Sequence, residues 1–136
     1  MTREAKILID YRLSRAYETL DDAKILLEKD KLFSCVNRIY YSMFYSVNAL
    51  LLTKNLASAK HSGVLSLFNK EFVNKEIVNK ELGKFYADMF EYRQKGDYRD
   101  LVKFEKEDII RWLKQAEQFV AEIKKIIGMS NSSIQK

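Results

Sequence analysis

The chain has 136 residues, a formal charge of +5, 47% apolar residues, four glycines and no proline. That length predicts one domain able to bury its own core, and the apolar content excludes a disordered chain. The absence of proline and scarcity of glycine argue against hairpin-rich β architecture and for helix.

The first helix is predicted from about Arg3 to Glu28, where Ile9, Leu13, Ala16, Leu20, Ala23 and Leu27 form the better apolar stripe. The alternative line through Ile7, Tyr11 and Tyr17 is more mixed, and Arg12, Arg15, Glu18 and Asp22 fall on the polar side. The second helix, from about Phe33 to Lys54, repeats Val36, Ile39, Tyr40, Met43, Val47, Leu50 and Leu51 at helical spacing. Tyr41, Phe44 and Leu52 widen that stripe almost all the way round, which predicts a central helix covered by neighbours or by a second subunit. A polar break, Asn55 to Lys60, precedes a short third helix from about His61 to Phe72 carrying Val64, Leu65, Phe68 and Phe72.

The fourth helix is expected to start at Asn79, a good N-cap residue, and to run through Leu82, Phe85, Tyr86, Met89 and Phe90 to about Gln94, with Gly96 at its end. The fifth, from about Glu105 to Ile127, carries Ile109, Leu113, Ala116, Val120, Ile123 and Ile127. Its acidic start (Glu105, Glu107, Asp108) and basic end (Lys124, Lys125) complement the helix dipole. The expectation is an all-α protein, an antiparallel four-helix up-and-down bundle with one additional short helix. Residues 1–128 form the domain and 129–136 a flexible tail.

Charge is unevenly placed. Residues 31–75 hold six basic groups against a single acid, Glu71, a balance suited to an anionic partner such as RNA or a nucleotide. The start of the chain carries charges where a signal peptide needs an apolar run. The longest uncharged stretch, residues 39–53, is too short to span a bilayer. The expected location is therefore cytoplasmic, away from membranes. Cys35 and His61 stand alone in their residue types, which excludes a zinc site made of Cys and His and leaves Cys35 as a small buried hydrophobe. No cofactor or metal is expected. Phosphate-binding glycine loops, HExxH and nucleophile-elbow patterns are absent.

Two stretches carry candidate chemistry. In Arg38-Ile-Tyr-Tyr-Ser-Met-Phe-Tyr45, the residues Arg38, Tyr41 or Ser42, and Tyr45 share a helix face. That face offers a guanidinium and hydroxyls able to hold a phosphate or stack a base, or simply tyrosines packed with their hydroxyls at the rim. In Phe90-Glu-Tyr-Arg-Gln-Lys-Gly-Asp-Tyr98, Arg93 and Asp97 are spaced to pair, and Arg93 and Tyr98 flank the Gly96 bend.

The segments RAYETLDDAKILLEKDKLFSCVNRIYYSMFYSVNALL, KHSGVLSLFNKEFV and FEYRQKGDY, in this order, resemble the HEPN (higher eukaryotes and prokaryotes nucleotide-binding) domain family, in particular its small stand-alone prokaryotic members. The resemblance implies a helical homodimer, often encoded beside a minimal nucleotidyltransferase as a toxin–antitoxin-like pair. Catalytic members are metal-independent ribonucleases with an Arg followed, after four to six residues, by a His. Here Arg93 matches the Arg, but Tyr98, Arg99 and Asp100 stand where the His would be, and a tyrosine with a pKa near 10 is a poor base at neutral pH. The resemblance thus implies a binding module for RNA, a nucleotide or a nucleotidyltransferase. Arg93, Asp97 and Tyr98 line its cleft, and Arg38, Tyr41, Lys60 and His61 support it. The alternatives are a ribonuclease using Arg93 and Tyr98, with His61 as a substitute proton carrier, and a structural dimer without a ligand. Family toxins silenced by adenylylation of a tyrosine make Tyr98 a candidate for that modification.

Overall fold

A computed structural model describes residues 1–96 and 103–135, with side chains up to Met129. It contains five α-helices, α1 (Arg3–Glu28), α2 (Leu32–Leu52), α3 (His61–Phe68), α4 (Lys80–Gly96) and α5 (Lys106–Gln135), and no strand among the described residues. None of these helices is long and apolar enough to cross a membrane.

The architecture follows from α2. Cys35, Val36, Ile39, Tyr40, Met43, Val47, Ala49, Leu50 and Leu51 are all buried, so this helix needs cover on most sides. It packs against α1, α3, α4 and α5. At about 1.5–3 kcal/mol for each large apolar side chain fully withdrawn from water, α2 supplies much of the core's stabilisation. Its two buried serine hydroxyls are satisfied internally: Ser42 donates to the Ile39 carbonyl at 2.6 Å and Ser46 to that of Met43 at 2.7 Å. Ser42 is therefore turned into its own helix rather than offered to a ligand.

The partners of α2 present the stripes read from spacing. On α1, Ile9, Leu13, Ala16, Leu20 and Ala23 are buried, while Ile7 and Tyr11 face solvent. Thr2 caps that helix, its hydroxyl accepting from the Ala5 N–H at 3.0 Å. On α5, Ile109, Leu113, Ala116, Val120, Ile123 and Ile127 are buried together with Phe119, and the helical backbone continues beyond them to Gln135. α4 starts where its cap predicts, with Asn79 Oδ1 accepting from the Glu81 N–H at 2.7 Å. Cys35 is buried and donates to the Ala23 carbonyl at 3.3 Å; burial pushes its thiol pKa up to about 11, so it is an unreactive packing residue.

The third helix departs from expectation. α-Helical geometry stops at Phe68 and a π-helical turn, Asn69–Val73, follows. That turn carries Phe72 and Val73 into the interior. Val73 then meets α4 so closely that a Cβ on Gly83 would lie 2.8 Å from its Cγ2. Glycine is required there for the approach of the two segments.

Candidate functional site

Arg93 sits in the last turn of α4. Its guanidinium lies over the Tyr40 ring, 4.9 Å from the centroid, and 5.8 Å from that of Tyr41. Arg38, from α2, lies 4.9 Å from the Tyr41 centroid. Two guanidiniums thus converge on one tyrosine, each favoured by the ring's negative face. The Arg38 fork is held in place: Nε and Nη2 both donate to Asn37 Oδ1, at 3.0 and 2.7 Å. Arg93 Nε is buried without a hydrogen-bond partner among the described residues.

Both arginines line a cleft of about 330 Å³ between the end of α1, the start of α2 and the end of α4. Ser34, Asn37, Phe33 and Gly96 complete its polar and aromatic walls, and no carboxylate is among the described residues that line it. Lys106 pairs with Asp30 at 2.6 Å, tying the start of α5 to the α1–α2 turn. Asp30 makes that turn in the left-handed region, at φ 57°.

His61 belongs to the same neighbourhood, although it comes from α3. Its Nδ1 is 2.7 Å from the Tyr40 hydroxyl. Its ring stacks on Phe44 at 4.3 Å and 10°, and meets Tyr41 edge-on at 5.6 Å. Burial lowers the His61 pKa, and the positive charge of Arg93 lowers it further. Burial also pushes the Tyr40 hydroxyl up to about 12, against smaller opposing effects from Tyr86 and Arg93. Tyr86 stacks parallel to Tyr40 at 5.9 Å. Its hydroxyl is buried and makes no hydrogen bond of ordinary geometry, and burial, then the nearness of Tyr40, raises its pKa well above 10. The α3 start that carries His61 depends on Gly63, where a Cβ would collide with Ser58 Oγ.

Of the residues expected from sequence, Arg93, Arg38, Tyr41 and His61 come together. Lys60 is exposed beside His61, with its backbone N–H donating to Ser58 Oγ at 3.3 Å. Tyr45 turns to α1, where Arg15 lies 5.3 Å over its ring. Asp97 and Tyr98 lie outside the described residues. Tyr40, Asn37 and Ser34 were not singled out as site residues. Tyr40 reads as one more apolar position of α2, and the signal for it is that it adjoins Tyr41 in the Arg38–Tyr45 stretch.

The chain matches the family model described as HEPN domain over residues 9–126. A UPF0332 protein of Thermotoga maritima is 56% identical over 124 residues, covering 91% of this chain and 94% of that protein. Two proteins of Methanocaldococcus jannaschii carry the names "Putative toxin MJ0142" and "Putative toxin MJ0605". The first is 36% identical over 95% of this chain and 85% of its own length, the second 39% identical over 82% and 83%.

Proposed function

This chain belongs to the HEPN domain family, and from that premise we propose that it is a toxin-like module whose Arg38–Arg93 cleft binds the phosphates of single-stranded RNA or of a nucleotide. The observation that carries this reading is the convergence of two guanidiniums on Tyr41 at a cleft with no described carboxylate. Guanidinium forks suit phosphate oxygens. The test is fluorescence anisotropy of labelled RNA hexanucleotides and of adenosine nucleotides, with Arg93→Ala and Arg38→Ala. Binding that is lost in either variant and weakens steeply with salt supports the reading; wild-type affinity in both variants removes it.

The scaffold in this proposal is an antiparallel four-helix up-and-down bundle carrying α3. Its support is that α1 and α2 pack on each other across a connection too short to allow anything but reversal. A homodimer is part of the same reading. Tyr11, 60% exposed, lies one turn before Arg15, which covers Tyr45, and this leaves an aromatic strip across α1 and α2 for a second copy. Sedimentation as a monomer at micromolar concentration would sink that part. A minimal nucleotidyltransferase is the partner implied by the family, and co-expression followed by mass measurement on Tyr98 tests it.

The position of His61 near Arg93 supports a second reading, a metal-independent ribonuclease in which His61 moves the proton. Cleavage of an RNA pool in EDTA, abolished by Arg93→Ala, would establish it.

A further inference from the structure

His61 is the one histidine of the chain, and three rings constrain it. Phe44 stacks on it, Tyr41 meets it edge-on, and Tyr40 places a hydroxyl 2.7 Å from Nδ1. The Tyr40 side chain is fully buried, so its hydroxyl proton needs an acceptor inside the protein. Among the described residues that acceptor is His61 Nδ1, since the neighbouring Tyr86 hydroxyl makes no hydrogen bond of ordinary geometry. Tyr40 therefore donates and Nδ1 accepts.

A neutral imidazole carries one N–H, and with Nδ1 accepting, the proton sits on Nε2. Charging the ring would make Nδ1 a donor, reverse the Tyr40 bond so that the buried Tyr40 proton loses its described acceptor, and place a second cation near Arg93. Among the described residues, the titratable and charged groups near it are Tyr40 and Tyr41 from α2, Arg93 from α4 and Lys60 beside it in the chain, with Tyr86 of α4 stacked on Tyr40. None of them carries a carboxylate, and His61 also stands at the positive end of α3. Nothing described there favours an imidazolium.

We propose that His61 is a fixed neutral hydrogen-bond donor of the Arg93 site, offering Nε2–H to a phosphodiester oxygen, with Tyr40 as the positioning residue that selects the tautomer. His61 acts in this way only if Arg93 holds a phosphate as proposed above. The role differs from proton transfer. With Nδ1 occupied and Nε2 protonated, the ring has no free lone pair with which to take a hydroxyl proton, so the site grips RNA rather than cutting it.

The full chain labelled with ¹⁵N-histidine gives side-chain signals from His61 alone. At pH 7 the expected spectrum is the neutral ring protonated at Nε2, with the Nε2 signal moving when a uridine hexanucleotide is added. Tyr40→Phe is expected to give mixed tautomers and a titration nearer the ordinary value of about 6.5. His61→Phe is expected to weaken hexanucleotide binding about tenfold, the loss of one charge-assisted hydrogen bond. His61→Gln, which keeps an amide donor, is expected to stay within about threefold of wild type. An imidazolium or an Nδ1–H tautomer in the free wild type overturns the assignment even if Tyr40→Phe does not fold. So does an Nε2 signal unmoved at saturation, or RNA cleavage in EDTA that disappears in His61→Gln. A wild type that shows the expected tautomer and binds neither hexanucleotide nor nucleotide overturns the phosphate-site reading, and the donor role with it. A wrong tautomer with binding intact overturns the donor role alone.

Discussion

Replacing Tyr86 by Phe removes a single oxygen from the centre of the aromatic cluster. The side chain is fully buried. Its ring stacks on Tyr40 at 5.9 Å and on Phe119 at 5.8 Å, and meets Phe68 edge-on at 5.4 Å. Phe keeps all of these contacts. What it deletes is a hydroxyl that has lost water and gained no hydrogen bond of ordinary geometry. Leaving such a group unsatisfied costs about 1–3 kcal/mol. The small void that replaces the oxygen returns part of that, so the net expectation is a stabilisation of about 1 kcal/mol. For a domain of this size that corresponds to a rise in Tm of about 4 °C. Thermal and urea unfolding followed by circular dichroism would measure it, with hexanucleotide binding as a check that the site is undisturbed. A fall in Tm of several degrees would refute the reasoning. It would mean that the Tyr86 hydroxyl donates to Tyr40 and contributes a buried hydrogen bond to the fold.

Gly83→Ala should destabilise by about 1–3 kcal/mol, because the new Cβ meets Val73 Cγ2 at 2.8 Å and Cγ1 at 3.0 Å; an unchanged urea midpoint would show that the π-helical turn yields freely. The fold holds the His61 pKa below its unfolded value, so as pH falls the unfolded chain takes up a proton first. The stability contributed by neutral His61 is therefore full above about 6.5 and is lost as pH drops through the folded value. Urea unfolding of wild type and His61→Gln at pH 7.5 and 5.5 should show their difference in stability moving against the wild type in acid, and a pH-independent difference would contradict this. Trp112, the single tryptophan, stacks on Tyr92 at 4.8 Å and touches Phe104, which packs on Phe33 of the cleft wall. RNA bound in the cleft should change its fluorescence, and a saturated complex with an unaltered spectrum would place the ligand elsewhere.

The helices were legible because burial has a period. Ile9 to Ala23 on α1 and Ile109 to Ile127 on α5 repeat apolar residues at helical spacing, and those residues are the ones buried. The start of α4 was legible from a local rule as well, since Asn79 caps it with its own side chain. The end of α3 was not. Whether Phe72 lies on a continuing α-helix or on a π-helical turn depends on Val73 packing against Gly83, a contact between segments that no local pattern encodes.

The same division runs through the site. The sequence by itself determined that Arg93 sits at a helix end, that Arg38 and Tyr41 share a face, and that the chain has one histidine to place. Only the tertiary structure decided that His61 reaches Tyr40, 21 residues earlier, and that Arg93 lies over the same ring. Helical spacing specifies which side chains share a face of one helix. Which faces of α2, α3 and α4 meet is set by how their buried stripes pack together, and that packing brought together residues that are unremarkable one at a time.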